Sequence, residues 1–170
     1  MRPKPCPTAT PSSPGCSRPK YEAVVRTVYL ILHDRERARD ITQDAFIELL
    51  TRWRKISRYE RPDAWVRRVA IRMAIRFLNR ERRRPWVERD LDPATLPQPV
   101  DVDVLRAVSQ LSPAQRAAVV LFYFEDRPVA EIADILGLAP GATKLTLHRA
   151  RRRLAGLLRE EPAEEAPDVT

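Results

Sequence analysis

Positively charged side chains are concentrated in two stretches of this chain. Residues 61–84 carry nine arginines against Asp63 and Glu81, and residues 144–153 carry one lysine and four arginines with no acid. Such runs of fixed positive charge bind phosphate groups, so they predict a polyanionic partner such as nucleic acid. An arginine-rich composition also arises in a GC-rich genome. The positions of the charges are therefore more informative than the net charge of +8.

The second basic stretch belongs to a segment, Pro128 to Arg153, that predicts a helix-turn-helix. Gly137 can end a helix in the left-handed conformation, and Pro140 can begin the next helix, where a missing amide hydrogen is tolerated. Ala133 provides the small contact that two crossed helices need.

When wound at about 100° per residue, the second of these helices separates into an inward stripe and a basic outward face. The inward stripe consists of Thr143, Leu147, Ala150, Leu154 and Leu157. The outward face, where phosphates and base edges would lie, consists of Lys144, Leu145, Thr146, His148, Arg149, Arg152 and Arg153. A solvated charged face is the alternative, but the adjoining turn favours nucleic-acid binding.

The first basic stretch predicts a helix over residues 63–82 with arginines along one face. Its inward positions are Val66, Val69, Ala70, Met73 and Phe77. Its outward ridge consists of Arg68, Arg72, Arg76, Asn79 and Arg83. Such a ridge repels itself unless an anion lies along it. Trp65 and Trp86, near the two ends, could stack on unpaired bases, and core packing is the alternative for both.

Two helices are predicted before this ridge, the first over Tyr21–Leu32 and the second from an Asp34 cap to about Ile56. The second helix carries two apolar stripes, so we expect it to lie between two neighbours. The stripes are Ile41, Ala45, Leu49 and Ile56 on one side and Phe46, Leu50 and Trp53 on the other. The third face carries Asp40, Gln43, Asp44, Ile47 and Thr51. This combination indicates a small protein-docking surface, with a plain solvated face as an equal alternative.

Two more helices are predicted before the helix-turn-helix. The first is marked by Val102, Leu105, Val108 and Leu111. The second, Ala114–Phe124, follows a capping box formed by Ser112 and Gln115. It supplies the core with Ala117, Val120, Leu121 and Phe124. Together these helices make a four-helix module.

Proline divides the chain, and the predicted fold class is all-α, with two small helical domains joined by a flexible proline-rich linker. The predicted segments are a disordered proline-rich tail at 1–20, a first domain at 21–84, the linker at 85–100, a helix-turn-helix domain at 101–158 and an acidic tail at 159–170. An extended linker would reach about 50 Å. The two domains could therefore engage separate sites on one ligand.

The residue types offer little for catalysis or metal binding. Cys6 and Cys16 have no partner at ligand spacing, and the histidines are His33 and His148. No nucleophile, general base or metal set is apparent, so we expect neither enzyme activity nor a cofactor. No apolar run resembles a signal peptide or a membrane span, which favours a cytoplasmic protein.

Two rival functions remain open at this point. A free-standing helix-turn-helix regulator would bind operators as a dimer, but it would not need the acidic and apolar docking face. A nucleic-acid enzyme could hold a metal on Asp40, Asp44 and Glu48, but no second cluster accompanies these residues.

Taken together, the motifs between residues 21 and 158 resemble the extracytoplasmic-function group of bacterial sigma factors, short two-domain subunits of RNA polymerase. The matching motifs are Asp40–Phe46 (DITQDAF), Trp65–Ala70 (WVRRVA), Leu111–Arg116 (LSPAQR), Ala130–Ala133 (AEIA) and Leu147–Arg151 (LHRAR). Each motif alone is weak, whereas their order and spacing together are specific.

The resemblance implies three interfaces and no cofactor. The residues implied to dock on the coiled coil of the largest subunit of core RNA polymerase are Asp40, Gln43, Asp44 and Ile47. Those implied to melt and read the −10 element are Trp65, Arg68, Arg72, Arg76, Asn79 and Arg83. Those implied to read the −35 element are Lys144, Leu145, Thr146, His148, Arg149 and Arg152. An anti-sigma protein is a further partner that the resemblance implies.

Several residues depart from the family pattern. Ala139 replaces a Ser or Thr cap, which costs the recognition helix about 1 kcal/mol. Arg72 and Arg76 replace residues that are often Asn and Asp, so we expect stronger generic backbone affinity and no transferable base preference. Leu145 and Thr146 replace Ser and Arg. We hypothesise that Leu145, together with Thr146, contacts thymine methyl groups, with a tolerated exposed leucine as the alternative.

Overall fold

The computed structural model describes residues 18–81 and 101–159, and every regular element within these ranges is a helix. The elements are α1 (Arg18–Leu32), α2 (Arg35–Thr51), α3 (Trp53–Ile56), α4 (Pro62–Glu81), α5 (Val102–Ser109), α6 (Pro113–Val119), a π-helical turn (Val120–Phe124), α7 (Val129–Leu136) and α8 (Pro140–Leu157). The predicted all-α fold class is confirmed. The predicted linker, both cysteines, Arg83 and Trp86 lie outside the described residues.

Helices α1, α2 and α4 pack against one another and form the first unit. Helix α1 begins at Arg18, earlier than the predicted Tyr21, because Pro19 lies in the first turn, where a helix needs no amide hydrogen. His33 joins α1 to α2 in the left-handed conformation, with φ of 56°. The Asp34 carboxylate accepts a hydrogen bond from an amide in the first turn of α2, which confirms the predicted cap.

The second helix does not run unbroken to Ile56 as predicted. Helix α2 ends at Thr51, and the short α3 follows after Arg52, whose φ and ψ of −104° and 11° are not helical. The expectation that Leu50 and Trp53 are covered by a second neighbour is wrong, because their side chains are 69% and 37% exposed. Helix α2 packs against α1 and α4, and all four residues of the other apolar stripe, Ile41, Ala45, Leu49 and Ile56, are buried.

Helix α4 buries more of its surface than the sequence predicted. Its buried residues are Val66, Ala70, Ile71, Ala74 and Leu78. The predicted inward residues Val69, Met73 and Phe77 are half-buried instead. The difference arises because α4 contacts α1 and α2 on one side and α6 and α7 on the other.

Helices α5 to α8 form the second unit. The predicted capping box is confirmed, since the Gln115 amide donates to the Ser112 hydroxyl and the Ser112 amide donates to the Gln115 side chain. The predicted helix does reach Phe124, but its α-helical part ends at Val119 and the remainder is the π-helical turn. This turn buries Leu121 completely.

The helix-turn-helix has the predicted geometry. Gly137 follows α7 in the left-handed conformation with φ of 69°, and the Leu138 amide donates to the Ala133 carbonyl at 2.9 Å. Ala133 is 2% exposed, as a close contact requires. Pro140 lies at the start of α8. The local sequence signals therefore predicted this turn residue by residue.

The two units pack against each other. Helices α1 and α4 contact the second unit through α5, α6, α7 and the π-helical turn. One continuous apolar cluster includes Val28 and Ile71 from the first unit and Leu105, Leu121 and Ile132 from the second. The sequence analysis assigned these side chains to two separate cores, because helical periodicity identifies an apolar face but not the helix that covers it.

Candidate nucleic-acid interface

The outward face of α8 carries the basic residues that the sequence assigned to DNA. Its exposed polar members are Lys144, His148, Arg149 and Arg152. Leu145 lies among them and is 47% exposed. A face of positive charge with one aliphatic side chain at its centre suits the major groove, where phosphates, base edges and thymine methyl groups are all within reach.

The opposite side of α8 is fixed against the second unit. Thr143 and Ala150 are fully buried, and the Thr143 hydroxyl donates to the Ala139 carbonyl at 3.1 Å. Thr146 differs from its predicted neighbours because it is half-buried and its hydroxyl donates to the Ala142 carbonyl at 2.8 Å. The hydroxyl hydrogen of Thr146 is therefore already used in a hydrogen bond within α8.

Arg151 projects from another side of α8 and was not predicted as a contact residue. Its guanidinium carbon lies 5.0 Å from the Phe122 ring centre and 5.6 Å from the Tyr123 ring centre. Its Nε donates to the Tyr123 hydroxyl at 2.7 Å. Cation–π contact and the hydrogen bond together tie α8 to the π-helical turn. The partners are far apart in sequence, so no local pattern marks this pairing.

The predicted arginine ridge of α4 is divided between solvent and protein. Arg72, Arg76 and Asn79 are exposed. Arg68 is half-buried, and Trp65 is half-buried and packs against the apolar core. Arg83 lies outside the described residues. Three of the four ridge members among the described residues are therefore exposed.

Arg72, at the middle of this ridge, is exposed and also binds the end of α7. Its Nε donates to the Ile135 carbonyl at 2.8 Å, and its Nη2 donates to the Asp134 carbonyl at 2.9 Å. The last carbonyls of a helix have no partner within it and carry the negative end of its dipole. The predicted outward placement of Arg72 agrees with its exposure, and its guanidinium also caps α7.

Helix α2 presents a surface that neither unit covers. The predicted docking residues Asp40, Gln43, Asp44 and Ile47 are all exposed. Leu50 and Trp53 extend the apolar part of this surface toward α3, and Ile47 itself is 50% exposed. We call these six residues the α2 face. The sequence analysis identified its polar half and assigned part of its apolar half to the core.

Two family models match the chain. The model for Sigma-70 region 2 matches residues 18–84, and the model for Sigma-70, region 4 matches residues 101–154. The RNA polymerase sigma-E factor of Streptomyces coelicolor is 31% identical over 142 residues, which covers 81% of this chain and 80% of that protein. This chain belongs to the extracytoplasmic-function sigma factors. It directs initiation of transcription by RNA polymerase, and the resemblance seen in the sequence is confirmed.

Further similarities agree with this family. The RNA polymerase sigma-E factor of Streptomyces avermitilis is 30% identical over 150 residues, 81% of this chain and 79% of that protein. The structure is similar to that of the sigma factor RpoE from Bartonella quintana, solved in complex with the anti-sigma factor NepR, with a TM-score of 0.68. That similarity covers 85% of this chain and 94% of the other at 22% identity, so it concerns the fold alone.

The sigma factor contains a buried ion cluster between its units that sequence reasoning missed. The Glu125 side chain of the second unit is 6% exposed. It accepts a hydrogen bond from the Thr27 hydroxyl of α1. Its Oε2 lies 3.7 Å from Nε of Arg67 on α4 and 3.4 Å from Nη2 of Arg127. Buried charges are stable only when they are paired, and here the partners come from both units.

A second buried link is made by Arg116 of α6, which is 6% exposed. Its Nη1 donates to the Ile31 carbonyl at 2.8 Å, at the end of α1, and its Nη2 donates to the Ser109 carbonyl at the end of α5. One guanidinium therefore caps a helix from each unit. The available sequence signal was an arginine on the inward, alanine-rich face of α6.

His33 lies beside this arginine in the sigma factor and is 3% exposed. Burial, and then the Arg116 charge, lower the pKa of His33 to about 3. The imidazole is therefore neutral in the folded protein near pH 7.

Over residues 18–81 and 101–159, no group of three or more His, Cys, Asp or Glu side chains could hold a metal ion. The carboxylates that a metal-dependent enzyme would need, on Asp40, Asp44 and Glu48, form no such group. Within the same two ranges, the helices are too short or too polar to cross a membrane.

Proposed function

We propose that this sigma factor binds core RNA polymerase through the α2 face, the −35 element through α8 and the −10 element through α4. In this proposal the factor contributes binding and strand separation, and the polymerase contributes the catalytic groups. It acts in the cytoplasm, where the polymerase meets the chromosome. The observation that carries the proposal is the exposed α2 face, because a DNA-binding protein that works alone has no use for it.

The composition of the α2 face suits a protein partner. Ile47, Leu50 and Trp53 form an apolar patch that is costly to leave in water, and such patches mark interaction sites. Asp40 and Asp44 flank the patch and would orient a basic partner surface. Aromatic and aliphatic side chains at the centre with charges at the rim are the usual anatomy of an interface.

Charge reversal tests this docking site. We expect Asp40→Lys combined with Asp44→Lys to weaken binding to purified core polymerase at least roughly tenfold, because two favourable charge pairs become repulsive. The matched control is Glu60→Lys, which reverses an exposed carboxylate outside α2. Fluorescence anisotropy of the labelled sigma factor gives both affinities. Unchanged binding by the double variant contradicts the proposed docking site.

For the −35 element, we propose that Leu145 contacts thymine methyl groups. The half-exposed position of Leu145 amid basic side chains supports this, since each apolar contact to a base edge adds discrimination. Leu145→Ser should change the −35 sequences selected from a random library by the polymerase holoenzyme. Leu138→Ser, at another exposed leucine before α8, is the control. The same selected sequences for Leu145→Ser and wild type would exclude a specificity role.

The alternative of a free-standing regulator is distinguished by its need for polymerase. Our proposal expects promoter DNA to be protected from nuclease over both elements only when core polymerase is present. A regulator would protect an operator alone, as a dimer. The match to Sigma-70 region 2 favours the first outcome.

We also propose an anti-sigma protein as a partner, because the sigma factor RpoE, whose fold this chain shares, was solved with the anti-sigma factor NepR. Affinity purification of the tagged sigma factor from its native cells should recover a protein in addition to polymerase subunits. That protein should inhibit transcription when it is added to the purified holoenzyme. Recovery of polymerase alone, under growth conditions in which the target promoters are silent, contradicts this partner.

A further inference from the structure

The outward face of α8 is followed in the sequence by a run of acidic residues. Residues 160–168 carry four glutamates, one aspartate and no basic residue, and they lie outside the described residues. We propose that these residues, which we call the acidic segment, lie along the outward face of α8 in the free sigma factor and compete with duplex DNA for it. The inference rests on the proposed function of α8 and adds an occupant for its DNA-binding surface.

The positive charge on α8 has no acidic counterpart on the same helix. Helix α8 contains no aspartate or glutamate, and the cations along its outward face are all exposed. These cations are Lys144, Arg149, Arg152 and Arg153. The ion pairs found over residues 18–81 and 101–159 are made by other arginines. Arg149 and Arg153 are four positions apart, and like charges at this spacing destabilise a helix. An anion beside the face would therefore stabilise it.

The acidic segment is long enough to lie beside these cations. It follows Arg159, which is two residues beyond the end of α8. Because an α-helix rises about 1.5 Å per residue, Arg152 and Arg149 lie about 10 and 15 Å before Arg159 along the helix. An extended chain advances about 3.3 Å per residue, so about five residues span the longer distance. Glu164 and Glu165 can therefore reach Arg149, and the glutamates before them can reach Arg152.

Two physical effects favour this contact. The last turn of a helix carries the negative end of its dipole, so Glu160 and Glu161 are repelled by the end of α8 and attracted by its arginines. The covalent connection also keeps the acidic segment near α8 at an effective concentration of the order of millimolar. A contact that is too weak to form between separate molecules is therefore populated within one chain.

The consequence is a weak competitor for DNA. A duplex carries one phosphate charge for about every 1.7 Å of its axis, which is a denser row of charge than the acidic segment provides. Promoter DNA that polymerase holds against α8 therefore displaces the segment. Random duplex DNA that meets the free factor has no such help, so the segment lowers sequence-independent binding most.

The first experiment locates the acidic segment in the free, full-length chain. A carbodiimide joins a carboxylate to an amine that it contacts, and the amines of the side chains belong to Lys4, Lys20, Lys55 and Lys144. We expect coupling of the acidic segment to Lys144 in the monomeric product, identified by mass spectrometry. Arg152→Lys adds an amine nearer to the segment and should add a second coupled position. Arg80→Lys, at an exposed position on α4, is the matched control and should add none.

The second experiment measures the competition with DNA in full-length variants. The segment variant carries three substitutions, Glu161→Gln, Glu164→Gln and Glu165→Gln. The control variant makes the same change in net charge at three exposed positions of the first unit, Glu22→Gln, Glu36→Gln and Glu60→Gln. Fluorescence anisotropy gives the affinity of each variant for random-sequence duplex DNA, and circular dichroism establishes that both remain helical.

The size of the effect follows from how often the face is free. If it is free in about one fifth of the molecules, complete release tightens duplex binding about fivefold, and we expect at least about threefold for the segment variant relative to the control variant. The difference should disappear above about 0.3 M salt, because screening weakens the contact between the segment and α8.

Each part of the inference has an outcome that overturns it. Absence of coupling at both Lys144 and position 152, or equal coupling at position 80, overturns the contact. Coupling confined to dimeric products assigns the face to a second copy of the chain and overturns the intramolecular contact. Coupling without a gain in duplex affinity over the control variant overturns the competition. A failure of α8 as the −35 helix is distinguishable, because both measurements would then give the expected results while Arg149→Ala left the −35 sequences selected by the holoenzyme unchanged.

Discussion

Helices α4 and α8 carry similar chemistry but differ in how the fold uses it. Each has a run of arginines along one face with few acids. On α8 these side chains are exposed, and one of them, Arg151, is also tied to the π-helical turn. On α4 the central Arg72 caps α7, and Arg67 is paired with Glu125. A basic stripe therefore indicates an affinity for anions but does not indicate whether an anion or the protein itself satisfies it.

The difference follows from what lies behind each helix. Helix α8 packs chiefly against α5, α6 and α7 of the second unit, and its buried residues include Thr143 and Ala150. Helix α4 packs on both units, so its two sides are committed to the shared core. Each of the following predictions tests one part of this contrast, beginning with that core.

The largest effect is expected for Leu121→Ala. Leu121 is fully buried in the core shared by α1 and the π-helical turn, so truncation should lower the free energy of unfolding by about 3 kcal/mol. Urea denaturation followed by circular dichroism measures this loss. Leu138→Ala, at a position 38% exposed, should cost much less. Because the core is shared, both units should unfold together at lower urea, and a separate unshifted transition of the first unit would contradict a common core.

Acidification should also lower the free energy of unfolding, through His33. Its folded pKa of about 3 lies below its ordinary value, so the unfolded chain takes up a proton first as the pH falls. This contribution to stability is complete above about pH 6.5 and is lost progressively toward pH 3. Between pH 7 and pH 5 the loss should be about 2 kcal/mol. His33→Asn accepts the left-handed backbone and should remove this part of the pH dependence; an identical pH profile would contradict it.

The turn before α8 and the buried face of α8 were predicted well from the sequence, because the signals for them are local. Gly137 and Pro140 define the turn, and an apolar stripe of helical period defines the buried side of α8. The Ser112 capping box likewise needs only neighbours three residues away. These features depend on backbone sterics and short-range hydrogen bonds, which adjacent residues determine.

The contacts between α4 and its neighbours, and between the two units, could not be predicted because the residues that make them are distant in sequence. Thr27 and Glu125 are 98 residues apart, and Arg116 is 85 residues from the carbonyl that it caps. Periodicity gave no sign that these residues meet. The same limit explains the error at Leu50. Its apolar character suggested burial, but no helix within the described residues covers it. Tertiary packing decides which surface of a helix is covered, and the hydrophobic pattern of the sequence alone does not reveal it.

A smaller effect is expected where α8 begins. Ala139 has the extended conformation of a helix cap but no side chain that can accept a hydrogen bond. Ala139→Ser should stabilise the protein by about 1 kcal/mol, because its hydroxyl can accept from an amide in the first turn. The control is Ala142→Ser, exposed within the helix. Thermal unfolding measures both, and equal shifts for the two variants would argue against capping as the cause.

The smallest effect gives the sharpest test, because Arg72→Ala and Arg76→Ala remove the same group from the same helix. In the free chain at low salt, Arg76→Ala should weaken binding to single-stranded DNA about threefold, since this arginine is exposed. Arg72→Ala should weaken it less, because two donor nitrogens of this exposed arginine already bond carbonyls of α7. In the polymerase holoenzyme, both variants should slow promoter opening, because we propose that α4 binds the −10 element there. Equal weakening by both variants in the free chain would mean that α4 is as accessible as α8, and the contrast between the two helices would not hold.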